Sequence, residues 1–431
     1  MLGRATRAEI PCSVSSLEID CPSDVNTTAS LSLREAIYTS TTHCETNGAA
    51  GTVGAGPVVT SRAFAHRTIR SALVRQVTLS RADGADTSSE LSVGVSSAVT
   101  ADTFAALTGD VDFKAADCEA PGAYGLAGRL SRPENERACP DGKHAVAVVA
   151  TEIPPTLTLA AGQREASFEF IMIARSSLDV GAGASEAAVY AAAEADYNAT
   201  LATPFDDLVQ SHTAAWAELW RSGVELVPKE EAGAGASLAR RVNSTLYYLY
   251  STMREDKFAA PSPGLLGTNF DGYNGNAFWD SEVWIANAVL PFAPELAHAD
   301  VQYRLLRLTE ALEEAEANEY PEGAAYYPWQ SAGCEREVDL FHHFNLLEKH
   351  VGPGIVMLVR NLYYQLRGGA QGPADGADSF LNATYPMLKA VADFVVGTAT
   401  PTGAGANADV TSTNGSLSIL NVVGPDEFGV G

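Results

Sequence analysis

The spacing of apolar residues changes period once along this chain, and that switch constrains the fold more than any other feature. From about residue 57 to 175 apolar side chains recur at every second position, as in Ala72-Leu73-Val74-Arg75-Gln76-Val77-Thr78-Leu79 and Ala166-Ser167-Phe168-Glu169-Phe170-Ile171-Met172-Ile173. Alternation of this kind turns one face of an extended strand into a core and the other toward water. Clusters of Asp, Gly, Pro and Ser separate the runs, so residues 57–185 are expected to form an antiparallel β-sandwich. After about residue 186 the period becomes helical, over 187–195, 205–220, 238–253, 295–318, 351–366 and 377–396. The resulting division is a poorly defined N-terminal segment (1–56), the β-sandwich (57–185), a helical linker (186–237) and a domain of helical hairpins (238–431).

Composition serves mainly to exclude. The formal net charge is -25, with 53 acidic against 28 basic residues, so the surface repels a phosphate backbone and nucleic acid is not an expected partner. The most apolar run, 145–161, is broken by Glu152, Pro154 and Pro155, well short of the roughly 18 uninterrupted apolar residues of a membrane span. Six cysteines, at 12, 21, 44, 118, 139 and 334, contain no C-x-x-C pair and no zinc-type His spacing, so neither a metal nor a cofactor is expected. Cys118 and Cys139 flank a polar loop and are candidates for a disulfide or for two free thiols. Sequons at Asn26, Asn198, Asn243, Asn382 and Asn414 point toward secretion, whereas the N-terminal residues lack an apolar leader, which favours the cytoplasm.

Three segments carry candidate chemistry. In Gly272-Tyr273-Asn274-Gly275-Asn276-Ala277-Phe278-Trp279-Asp280-Ser281-Glu282-Val283-Trp284, two Trp, a Phe and a Tyr lie within a dozen residues of two carboxylates. Sugar sites need flat apolar surfaces for the C–H face of the ring and acceptors for its hydroxyls. The plainer alternative is a buried helix start, with Asp280 near an N-cap and the tryptophans in a core. Tyr326-Tyr327-Pro328-Trp329-Gln330 is an aromatic loop after a long helix, to be weighed against a hydrophobic plug. Gly424-Pro425-Asp426-Glu427-Phe428 presents adjacent carboxylates beside an aromatic ring, the setting that raises a Glu pKa for proton donation; an exposed turn with solvated acids is its alternative.

In this order, on a helical domain behind a β-sandwich, the three motifs resemble glycoside hydrolase family 65, and the likeness covers roughly residues 57–431. Ala63-Phe64-Ala65-His66-Arg67, the segment 212–220 and Leu246-Tyr247-Tyr248-Leu249 add to it. Within the family the match is most similar to the branch that removes glucose from α-glucosyl-galactosyl-hydroxylysine, with acid trehalases and disaccharide phosphorylases as siblings. The resemblance implies a partial (α/α)6 barrel at 238–431, Glu427 as proton donor, and Trp279, Asp280 and Trp329 as residues that bind an α-glucoside disaccharide or glycan. It implies an inverting hydrolase, with phosphorolysis, trehalose cleavage or an inert sugar-binding fragment as alternatives.

The chain departs from the family pattern at Asn276, Gln330 and Gly429, and it stops four residues after Glu427. The second carboxylate of an inverting pair is therefore expected beyond Gly431, or failing that among Glu335, Glu337 and Asp339. Asp280 and Glu282, two residues apart on a helix, face different sides, so Glu282 is expected to be a cap or surface acid.

Overall fold

The computed structural model describes residues 10–21, 25–47, 53–107, 111–131, 143–181, 183–229, 233–255, 273, 275–332, 337, 346–368, 374–401, 417–420 and 422–424. The chain divides into two compact units, one holding 8–132 and 143–221, the other holding 222–431 with two short upstream pieces.

The first unit is built on two antiparallel sheets. Its strands are β1 (Leu17–Asp20), β2 (Val25–Ser32), β3 (Ile37–Asn47), β4 (Val53–Ala65), β5 (Ala72–Ser80), β6 (Leu91–Ser97), β7 (Lys114–Ala116), β8 (Ala123–Arg129), β9 (Ala145–Thr151), β10 (Thr156–Leu159) and β11 (Glu165–Ser176). The small sheet runs β1-β6-β10 and the large one β2-β3-β4-β5-β11-β9-β8-β7. Val93, Val95, Leu157 and Leu159 of the small sheet meet Val77, Leu79, Phe170 and Met172 of the large one in a single buried cluster. Fully burying each of these side chains contributes about 1.5–3 kcal/mol.

The large sheet is covered on its other face too. Val74, Ala147, Val149, Ile171 and Ile173 pack against Val189, Ala193 and Tyr197 of helix Glu186–Leu201 and against Phe205 and Leu208 of helix Phe205–Leu219. Two features differ from the sequence-based division. Helices expected as a linker cluster with the sheets, because their apolar residues recur every four positions and β9, buried along both faces, has a second face to cover. Strands β1 to β3 occupy the stretch 1–56, where no element is expected; β2 is an edge strand rich in Thr and Ser, so it shows no apolar alternation.

Cys21 and Cys44 form a disulfide, while Cys12 and Cys118 are free. The Cys118–Cys139 pairing is therefore not made, and Cys139 itself lies outside the described residues.

A buried histidine pair supports helix Phe205–Leu219. His66 Nδ1 accepts the backbone N–H groups of Thr68 (3.3 Å) and Ile69 (3.0 Å), which leaves the proton on Nε2 to be donated to the Leu208 carbonyl at 3.1 Å. His212 Nδ1 accepts the Arg67 N–H at 3.1 Å, and the two rings lie 5.7 Å apart. Burial, and then the repulsion of His66, bring the His212 pKa down to about 4.

Among the described residues the second unit is largely helical. Helices Ala234–Thr252, Pro294–Leu305, Leu308–Ala317, Val351–Gly368 and Ala374–Thr398 surround a six-residue π-helix, Ser281–Ala286, that continues as Asn287–Val289. The single helix expected at 295–318 breaks at Leu306 and Arg307. Helix Val351–Gly368 opens with two glycines at points of close packing. A β-carbon at Gly352 would sit 3.1 Å from Val391, and one at Gly354 would sit 3.2 Å from Val283 of the π-helix. Small residues there let the π-helix lie directly against this helix.

Candidate active site

The segment Phe278-Trp279-Asp280 enters the π-helix, and its backbone is fixed from three sides. Ala277 and Ser331 exchange backbone hydrogen bonds (2.8 and 3.0 Å), which joins it to the Tyr326–Gln330 loop. Asn287 Nδ2 donates to the Glu282 carbonyl at 2.6 Å, satisfying an acceptor that the widened π turn leaves short, and Asn287 Oδ1 accepts from Asn361 of the neighbouring helix at 3.0 Å. Beneath lies Arg304, with no exposed surface. It donates to the Phe278 carbonyl (3.0 Å) and to both carboxylate oxygens of Glu282, while Tyr303 hydrogen-bonds Ser331 Oγ at 2.7 Å.

Glu282 is thus neither a cap nor a surface acid. It is wholly buried and ion-paired with Arg304. The expectation fails because its partner is 22 residues away in sequence and on another helix. Burial pushes the Glu282 carboxyl up and Arg304 pulls it back. Asp300 is buried near this pair; it is 1% exposed, neither of its oxygens has a hydrogen-bond partner, and burial with the nearby Glu282 charge pushes its pKa well above the usual carboxylate range.

Asp280 stands at the N-cap position of the π-helix, where the plainer alternative put it, but its side chain makes no capping hydrogen bond and is only partly buried. Burial raises its pKa, against the opposing effects of a backbone hydrogen bond and the His350 charge. The Trp279 ring meets His350 edge-on at 5.2 Å and Trp284 at 5.8 Å, and Trp284 is 59% exposed. Phe278 in turn packs edge-on against Trp329 at 5.4 Å and Tyr273 at 5.4 Å. The structure therefore brings Trp279, Asp280 and Trp329 into one aromatic and acidic neighbourhood.

The Tyr326–Gln330 loop divides in function. Tyr326 is the hydrophobic plug, packed against Phe394 and Tyr320, and the buried Tyr327 hydroxyl donates to the Arg304 carbonyl at 3.1 Å. Trp329 and Gln330 turn the other way, their N–H groups held by Glu337 at 2.8 and 3.3 Å. Glu335, Asp339 and Glu427 lie outside the described residues. The stretch leading to Glu427 is seen: Val423 N–H donates to the Leu347 carbonyl at 3.0 Å, and Lys349 Nζ donates to the Leu420 carbonyl at 3.2 Å.

That anchoring segment contains two residues the sequence did not reveal. Glu348, wholly buried, sits 3.0 Å from His350 Nδ1, and His350 is the residue stacked on Trp279. Nothing in Leu347-Glu348-Lys349-His350 marks it as part of a site, since its contacts are all tertiary. Among the described residues no cluster of three or more His, Cys, Asp or Glu side chains is arranged to hold a metal ion.

Residues 243–358, which hold the Trp279–Asp280 turn, Trp329 and His350, match the model of the glycosyl hydrolase family 65 central catalytic domain. The central part of the chain is therefore similar to glycoside hydrolase family 65. A second model, described as an uncharacterized conserved protein (DUF2152), matches residues 11–260. The chain is 28% identical to a protein-glucosylgalactosylhydroxylysine glucosidase of Dictyostelium discoideum over 383 residues, 87% of this chain and 47% of that protein. It is 33% identical to a kojibiose hydrolase of Mucilaginibacter mallensis over 228 residues, 52% of this chain and 29% of the relative. The chain spans less than half the length of these two relatives. Its fold is shared with a putative kojibiose phosphorylase from the human microbiome, at a TM-score of 0.68 and 14% identity over 94% of this chain and 50% of that one.

Proposed function

We propose that this chain carries the sugar-holding part of an inverting α-glucosidase, in which Trp279, Asp280 and Trp329 bind the terminal glucose and Glu427 protonates the glycosidic oxygen. The observation that carries the reading is the Trp279–Asp280 turn itself, a partly exposed indole beside a half-buried carboxylate on a π-helix bolted from below by Glu282 and Arg304. Such a pair offers a flat apolar surface to the sugar ring and a charged acceptor to its hydroxyls, on a backbone too constrained to shift.

The fold shared with the putative phosphorylase favours reading the helical unit as part of an (α/α)6 barrel. Relatives named for glucosylgalactosylhydroxylysine and kojibiose favour an α-glucosyl disaccharide unit as substrate. An inverting reaction needs a second carboxylate about 6.5–9.5 Å from the acid to activate water. The Cys21–Cys44 disulfide and the exposed sequon at Asn26 favour an oxidising compartment over the cytoplasm.

The test is to incubate the protein with kojibiose, trehalose and glucosyl-galactosyl-hydroxylysine, with and without inorganic phosphate, and follow the anomers by proton NMR. Hydrolysis is expected to release β-glucose without phosphate. Glucose 1-phosphate formed only with phosphate would make the enzyme a phosphorylase, and release of α-glucose would overturn inversion.

A further inference from the structure

Glu348 is a fully buried acid of the helical unit. It has no exposed surface, and neither carboxylate oxygen has a hydrogen-bond partner. A buried carboxylate is costly unless a counter-charge lies beside it. The nearest basic group is His350, whose Nδ1 is 3.0 Å from Glu348 Oε2, an approach too bent for an aligned hydrogen bond. Lys349, between them in sequence, is turned to the Leu420 carbonyl instead.

His350 reaches further than its partner. Its side chain is 21% exposed and its ring meets Trp279 edge-on at 5.2 Å. Its carbonyl accepts the first hydrogen bond of helix Val351–Gly368, from Gly354 N–H at 3.0 Å, so the backbone of His350 is pinned at a helix N-terminus.

We propose that Glu348 is a positioning residue, acting through His350 to hold the Trp279 ring for sugar binding. The proposal rests on Trp279 and Asp280 being the sugar-binding pair. Among the described residues Glu348 meets the His350 ring at Nδ1, and Trp279 meets the same ring edge-on. Without Glu348 the imidazole loses the contact that fixes it, and the Trp279 indole loses the edge it packs against.

The experiment labels histidine with carbon-13 in the full chain and follows the His350 ring resonances, which lie beside the Trp279 indole, by NMR, assigned with His350→Asn. In parallel, kojibiose binding is titrated calorimetrically. Glu348→Gln is expected to move the His350 ring resonances away from their position beside the indole and to weaken sugar binding roughly tenfold, while Glu348→Asp restores part of each. Unchanged His350 resonances in folded Glu348→Gln overturn the proposal whether or not the protein cleaves sugar. If Glu348→Gln does not fold, Glu348→Asp carries the test alone, and His350 resonances and binding equal to the parent's overturn it. Absence of sugar binding in the parent, with the His350 resonances displaced in Glu348→Gln, instead overturns the glycosidase reading and leaves the Glu348–His350 contact standing.

Discussion

The two units bury polar groups in opposite ways. In the β unit, a buried cation such as Arg75 is satisfied by neutral partners: Ser61 Oγ at 2.7 Å and the Val14 and Leu17 carbonyls at 2.9 Å each. Around it the core is aliphatic, and its histidine pair is kept neutral by burial. In the helical unit, ionisable groups are themselves buried, with Glu282, Arg304, Asp300 and Glu348 all essentially without exposed surface. Buried ion pairs contribute little net stability compared with apolar packing, but breaking one leaves an uncompensated charge. The β unit is thus built for stability, whereas the helical unit spends burial on fixing the Trp279–Asp280 turn.

The largest expected effect comes from removing the central cation. Arg304→Met strands Glu282 beside Asp300 and is expected to destabilise the helical unit by about 3–5 kcal/mol in urea unfolding. Arg75→Met leaves only a hydroxyl and two carbonyls without a donor and should cost about 1–3 kcal/mol. If Arg75→Met proves the more damaging, the contrast between the units is broken.

Acid should sharpen the contrast. Because His212 has a folded pKa near 4 against 6.5 in an open chain, the unfolded β unit binds the extra proton first. Its stability is complete above pH 6.5, falls as pH drops toward 4, and loses about 2–3 kcal/mol over that window. Urea midpoints between pH 7 and pH 4 measure this, and His212→Gln should flatten the slope.

A smaller effect of opposite sign is expected at Asp300. Its folded pKa is raised, so the folded state holds a proton that the unfolded chain releases above about pH 4, and stability is lost as pH rises. Asp300→Asn removes that penalty and should raise the melting temperature at pH 8 by a few degrees, about 1 kcal/mol, with little change at pH 4.

How much of this was legible depended on whether a residue's partner lay nearby in sequence. Strands β5 and β11 are plain in the sequence because apolar residues alternate along both, although Phe170 to Ile173 of β11 are buried on both faces. Strands β2 and β3 are not, since paired threonines such as Thr27 and Thr42, 3.1 Å apart, stabilise an edge without apolar alternation. Trp279, Asp280 and Trp329 stood out by aromatic density alone. Glu282 was misread because its meaning lies in Arg304, and Glu348 and His350 were invisible because theirs lies in Trp279, some 70 residues upstream. The proton-donor role proposed for Glu427 rests on its motif alone, and among the described residues upstream of it Val423 is anchored at Leu347.

The central claim is that Trp279 and Asp280 grip a glucosyl unit, and binding measures it without requiring cleavage. Calorimetric titration of kojibiose into the parent protein, Trp279→Ala and Asp280→Asn is the direct test. The account predicts measurable binding by the parent and a loss of at least about tenfold, roughly 1.4 kcal/mol, in each variant, with melting temperatures preserved. Undiminished binding by both variants would contradict it.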